Sequence, residues 1–235
     1  MQRPFAARRL GAGAVDRRVA IGSFSLAAIG LLCVVTLARA PAPPVRDPAA
    51  ARDLVALMRL GERGRWIVEY DFTRTNADGR VLRHGGEEGR SGAWHVVIAG
   101  TAMTLEHGRG SSACDLLGAR YGCKPTPGGR AVPESTVVRV VVAAGAYDVT
   151  GRPDARIAGV RARCFRMRAT GRGSLPDFGV ETDRCLARDG IPLRLVVVRP
   201  PGQVEELLAT SIRREATPKQ VRGLALARGS ASGQR

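Results

Sequence analysis

The sequence predicts an α+β protein: an N-terminal transmembrane or signal helix, then a curled antiparallel sheet with a few capping helices. Three observations predict it. Val19–Ala38 is an uncharged run of about 20 residues, the length of a helix that crosses a bilayer's hydrocarbon core. From Trp66 onward, apolar residues recur at every second position in short runs separated by Gly, Asn and Asp turns. Cys114, Cys123, Cys164 and Cys185 lie beyond the uncharged run, and an even set of cysteines in an exported domain reads as two disulfides.

The leader comes first. Arg3, Arg8, Arg9, Arg17 and Arg18 precede the apolar run, and Arg39 alone follows it closely. That asymmetry keeps residues 1–18 in the cytoplasm as a basic tail and sends the rest outward. Residues 19–38 are then a retained single-pass anchor, or a cleaved signal that leaves a secreted domain, since Ala38-Arg39-Ala40 fits an A-x-A cleavage site. The length of the run and Pro41 at the first mature position favour retention. Cys33 is no lipidation site, because Leu32 is too bulky for the position before it. Residues 39–46 form a proline-rich linker.

The formal net charge is +16, with Lys+Arg 37 against Asp+Glu 21. Nearly all the cations are arginines spread along the chain. An exported domain meets anionic lipid headgroups and acidic wall polymers, so a nucleic-acid partner is not expected. A zinc site is disfavoured as well. No C-x-x-C occurs, and His84, His95 and His107 are scattered. No metal and no cofactor are expected. Three disulfide pairings are open, the simplest joining sequence neighbours, Cys114 to Cys123 and Cys164 to Cys185.

The outer domain spans 47–213. Asp47-Pro48 supplies an N-cap and an N1 proline, and Leu54, Leu57 and Met58 follow at helical spacing, predicting a helix over 47–60. Trp66, Val68, Tyr70 and Phe72 then share one strand face, with Asn76–Gly79 as a turn. A weak strand near Val81–His84 precedes a Gly/Glu-rich loop. Trp94, Val96 and Ile98 alternate again, as do Met103 and Leu105, and His95 points to the opposite, polar face. Short runs at Cys114–Leu117 and Arg120–Lys124 complete a meander.

Pro133–Ala146 carries helical spacing at Val137, Val140, Val141 and Ala144, against which its β-branched residues argue. Phe165 and Met167 alternate with Arg166 and Arg168. Arg188-Asp189-Gly190 is a hairpin signal, with Leu193, Leu195 and Val197 on one face of the returning strand. Val204–Arg213 fits a helix and a strand almost equally. Residues 214–235 read as a flexible tail.

The residues do not point to an enzyme. There is no G-x-S-x-G, H-E-x-x-H, Walker loop or G-x-G-x-x-G. The adjacent pairs Glu87/Glu88 and Glu205/Glu206 read as solvated carboxylates. What remains is the apolar sheet face: Trp66, Val68, Tyr70, Phe72, Trp94, Val96, Ile98, Phe165, Met167, Leu193, Leu195 and Val197. Few helices are predicted to cover so many strands, so the sheet must curl and pack on itself or leave a hollow fit for an acyl chain or a greasy peptide.

The order of elements resembles the LolA/LppX-type bacterial envelope lipoproteins, whose disulfide-bearing versions are familiar among actinobacteria. The residues that carry the resemblance are Trp66–Thr73 as the first long strand, Ala158-Gly159 leading into Arg163-Cys164-Phe165, and Cys185–Leu193 as the late hairpin. It covers about residues 47–213. The resemblance implies a half-open β-barrel, capped by helices on its concave face, that accepts acyl chains of lipids or lipoproteins, with the twelve apolar residues lining the cavity. The expected function is therefore a membrane-tethered extracytoplasmic lipid- or lipoprotein-binding domain. Related half-barrels also serve as envelope sensors, so the alternative is a regulatory module that binds an envelope protein without lipid.

Overall fold

The computed structural model describes residues 47–108, 110–117, 120–126, 132–171, 175 and 178–230. The basic tail, the apolar segment 19–38 and the linker lie outside the described residues. No helix among the described residues is long and apolar enough to cross a membrane.

Helix α1 spans Pro48–Arg63. Its start follows from sequence: the Asp47 carboxylate accepts the Ala50 N–H at 2.9 Å, satisfying one of the first-turn donors. Leu54 and Met58 face inward. Six strands follow: β1 (Trp66–Thr75), β2 (Val81–Ser91), β3 (Trp94–Ala99), β4 (Ala102–His107), β5 (Gly110–Leu117) and β6 (Arg120–Pro125). Helix α2 (Glu134–Ala143) then leads to β7 (Tyr147–Ile157), β8 (Val160–Ala169), β9 (Glu181–Ala187), β10 (Pro192–Arg199), β11 (Gln203–Arg214) and helix α3 (Pro218–Ser230).

All eleven strands lie in one unclosed antiparallel sheet of order β6-β5-β4-β3-β2-β1-β11-β10-β9-β8-β7. The first and last strands pair with each other at its centre, so two meanders run outward from the β1–β11 seam. Bulges at Glu69/Tyr70 and Pro192/Arg194 fall near that seam, where added local twist sharpens the curl.

Helices α1 and α2 cover one face of the β7–β9 side. Leu54, Met58, Val138, Val141 and Val142 pack there with Val149, Phe165 and Met167. Burying three valines offsets the low helix propensity of the β-branched run in α2. Glu62 of α1 also accepts the Ser135 N–H and hydroxyl at 2.8 and 2.6 Å, tying the two helices together. This covered face is called inner below.

Two expectations are corrected, and the open choice at Val204–Arg213 is settled. The Gly/Glu-rich stretch after His84 is not a loop but the half of β2 paired on both sides from Gly86, and two of its glycines, Gly86 and Gly89, sit where neighbours come close. A Cβ on Gly86 would lie 3.0 Å from the Ile98 carbonyl oxygen, and one on Gly89 would lie 2.8 Å from Leu224 Cδ1. Val204–Arg213 is strand, since β11 is paired on both sides. The stretch after Arg214 is not a loose tail through Ser230. Thr217 and Gln220 cap α3 reciprocally, with Thr217 N–H to Gln220 Oε1 at 2.8 Å and Gln220 N–H to Thr217 Oγ1 at 3.3 Å. Val221 and Ala216 are buried with Ile67, Val96, Ile98 and Met103 on the outer face.

Candidate functional site

Register decides which predicted residues meet. Cross-strand partners share a face, and Ile67 pairs with Gly89, which pairs with Val96. Trp94, Val96 and Ile98 therefore lie on the outer face with Ile67, under α3. They do not join the inner row of Trp66, Val68, Tyr70 and Phe72, and this corrects the single apolar face expected of the twelve residues. Phe165 and Met167 are inner residues under α1 and α2. Leu195 and Val197 continue the inner row through Leu207 and Glu205 of β11, and Leu193 is buried with Trp66, Val68 and Tyr70. Of the inner set only Leu195 is half-buried; the others are at most 9% exposed.

The apolar half of the inner face is thus filled by the chain's own side chains. Among the clefts of the described residues are one of about 190 Å3 and one of about 360 Å3. The larger opens where β7 lifts off β8 at its Arg152/Ala155 irregularity. Ala155, Ile157, Phe165 and the cysteines Cys164 and Cys185 line it together with Arg152, Asp183 and Arg194. Both disulfides are formed, Cys114–Cys123 and Cys164–Cys185, each between directly opposed residues of paired strands.

The other half of the inner face, over β2–β4, is charged. Alternation brings Glu88, Arg90, His95, Thr104 and Glu106 to this side, all half-buried. His95 lies between two carboxylates, with Nε2 2.9 Å from Glu88 Oε1 and Nδ1 2.9 Å from Glu106 Oε2. Burial opposes the imidazolium, but the hydrogen bonds to Glu106 and Glu88 more than offset it and raise the His95 pKa above its ordinary value. Glu106 responds in the opposite sense: burial raises its pKa, the bond to His95 outweighs that, and the carboxyl titrates below its usual range. With both ring nitrogens donating, the imidazolium has no lone pair left for a metal.

Toward the centre, the Tyr70 hydroxyl donates to the Pro192 carbonyl at 2.9 Å, with Glu88 Oε2 at 3.4 Å. Burial and then Glu88 push its pKa well up, so the phenol stays protonated. Across the sheet, Arg184 of β9 makes a two-pronged pair with Glu134 at the start of α2, at 2.8 and 2.5 Å. Burial disfavours both charges, and their mutual attraction more than restores them: Glu134 is held below and Arg184 above its usual range. The curl of the sheet lets Glu88 and Tyr70 favour the charged form of Arg184 although β11 and β10 lie between. At the rim, buried Glu205 accepts from Arg74 at 2.6 Å, from Gln203 at 2.9 Å and from Arg199.

Sequence reasoning missed Glu88, His95, Glu106, Glu134 and Arg184 as a group. Glu88 read as solvated, yet strand alternation already placed it on the Tyr70 side once β2 was known to be continuous. The cluster has a testable signature. Because the His95 pKa is raised on folding, its contribution to stability is complete below about pH 6.5 and is lost as pH rises through the folded-state value. Urea-unfolding stability is expected to fall along that alkaline limb in the wild type, and His95→Gln to flatten it. An identical pH profile in the variant contradicts the assignment.

Fold and site together define a half-open antiparallel barrel whose concave face is apolar and filled on one side, charged and part-exposed on the other. No protein-family model matches the chain, and no curated protein matches it in sequence. Solved structures do resemble it. MucB in the Pseudomonas aeruginosa MucA/MucB complex matches with 17% identity and a TM-score of 0.42, over 74% of this chain and 60% of that one. A LolA superfamily protein from Nitrosomonas europaea matches with 8% identity and a TM-score of 0.33, over 74% and 97%. The Mycobacterium tuberculosis lipoprotein LppX matches with 12% identity and a TM-score of 0.35, over 67% and 93%. The chain spans about 60% of the MucB chain it matches.

Proposed function

We propose that this domain is an extracytoplasmic interaction module, tethered by residues 19–38, that engages a partner protein through the charged half of its concave face. The observation that carries the reading is the division of that face. Phe165 and Met167 are spent on packing against α1 and α2, and Trp66, Val68, Tyr70 and Leu193 on a second core cluster, while Glu88, Arg90 and Glu106 remain part-exposed around His95. Charged groups already positioned by hydrogen bonds favour polar, specific recognition over storage of an acyl chain. The two formed disulfides support an oxidising compartment.

A second reading, carriage of a lipid or lipoprotein acyl chain, is favoured by the larger cleft. Its floor is apolar, Arg152 and Arg194 stand at its edge, and 360 Å3 is at the small end of ligand pockets. Native mass spectrometry of the protein extracted from its own membrane separates the two. A stoichiometric protein complex is expected, with retention about tenfold lower in Glu106→Gln. Lipid adducts without protein, unchanged in that variant, would favour the carrier instead.

A further inference from the structure

We infer that the free edge of β2, Val81–Gly85, is a docking site where an extended acidic segment of a partner protein adds to the sheet as a further strand. The inference rests on the partner-protein reading and names the partner's chemistry. β2 pairs with β1 along its whole length, Val81 with Thr75 through Arg90 with Trp66. Its pairing with β3 begins only at Gly86, opposite Ala99. The other edge of Val81–Gly85 therefore presents backbone N–H and C=O groups to solvent, and every residue in it is exposed.

What guards this edge against strand addition is positive charge, from Arg80 and Arg83. The edge has no proline, and Val81 and Leu82 are 51% and 44% exposed, among the most exposed large apolar side chains described. An added strand receives main-chain hydrogen bonds from the edge, with Leu82 and His84 on the inner side and Val81 and Arg83 on the outer. The inner side leads directly to the charged half of the concave face.

Charge selects the occupant. Arg80 and Arg83 flank the apolar pair, both exposed, in a protein of net charge +16. A second copy of this chain pairing antiparallel about Arg83 would set arginine against arginine, a repulsive arrangement. Residues 1–46 and 231–235 of the chain carry only Asp16 as an acidic residue against many arginines, so they are poor occupants too. An extended segment that sets apolar residues beside Val81 and Leu82 and acidic residues beside Arg83 and Arg80, in adjacent pairs so that each side carries both, satisfies the apolar edge and its arginines.

The test uses the full chain and a labelled peptide of repeated Val-Val-Glu-Glu, which carries valine and glutamate on both sides of an extended strand. Fluorescence anisotropy is expected to show saturable binding that weakens with salt and falls about tenfold in Arg80→Glu/Arg83→Glu, a surface change that spares the fold. Hydrogen exchange is expected to slow within residues 81–85 when the peptide is added. Peptide binding reads the edge in Arg80→Glu/Arg83→Glu, and retention of the membrane-extracted complex reads the concave face in Glu106→Gln, so the two proposals fail separately. Equal binding of a valine–lysine peptide, no slowing at the edge, or binding indifferent to the arginines overturns the inference. So does protection, in the chain alone, of those amides of 81–85 that point away from β1, or a dimer in sedimentation that the double variant dissolves.

Discussion

Gly61→Ala is expected to unseat α1 and destabilise the domain by about 3 kcal/mol or more. A Cβ at this position would lie 2.2 Å from the Gly190 carbonyl oxygen and 2.8 Å from its carbonyl carbon. The contact is backbone on both sides, so no side chain can swing aside. Gly190 is equally constrained. It holds φ +80 in the β9–β10 turn, and its own Cβ would meet the Leu57 carbonyl oxygen at 2.0 Å. Relief therefore requires the helix to rise from the sheet. That movement pulls fully buried Leu54 and nearly buried Met58 from the core, each worth about 1.5–3 kcal/mol of burial, and breaks the 2.9 Å bond from Trp66 Nε1 to the Gly61 carbonyl. Gly151→Ala is the control, because its Cβ meets nothing within 4 Å. Urea unfolding of the two variants decides the matter. A Gly61→Ala midpoint equal to that of the control contradicts this packing.

Removing the Cys164–Cys185 disulfide is expected to cost about 3 kcal/mol, and removing Cys114–Cys123 somewhat less, about 2.5 kcal/mol. The difference comes from the length of chain each bond closes, with sequence separations of 21 and 9. Longer loops lose more entropy in the unfolded chain when cross-linked. Position acts in the same direction. Cys164 and Cys185 join β8 to β9 beside the buried Trp66–Val68–Tyr70 row, whereas Cys114 and Cys123 join β5 to β6 at one end of the sheet. Paired Cys→Ala variants, unfolded in urea without reductant, give the two costs directly. Equal stability of the wild type with and without reductant would show that neither bond contributes.

Much of the local structure was legible in the sequence because it rests on local rules. Asp47-Pro48 announced α1, and Arg188-Asp189-Gly190 announced the β9–β10 hairpin. The neighbour pairing of the cysteines, one of three open choices, is the one formed. Two local signals were passed over. Thr217–Gln220 has the spacing of a capping box, yet the short polar stretch around it looked like a tail. The glycines of β2 looked like a loop, and two of them, Gly86 and Gly89, are the positions where the Ile98 backbone and α3 approach. The charged cluster was harder to see, since Glu88, His95, Glu106, Glu134 and Arg184 come from β2, β3, β4, α2 and β9.

By itself the sequence determined where α1 and most of the strands form and which residues on each strand alternate together, because those depend on backbone propensity and a period of two. Only the tertiary structure decided which side of the sheet each stripe would occupy. The apolar stripes of β1 and β3 are alike in sequence, yet the alignment of Ile67, Gly89 and Val96 sends them to opposite faces. A shift of one residue in pairing exchanges the faces of a pleated strand, and pairing is settled by contacts between distant segments. That choice placed Val96 and Ile98 under α3, and it left the inner face of β2–β4 to its charges.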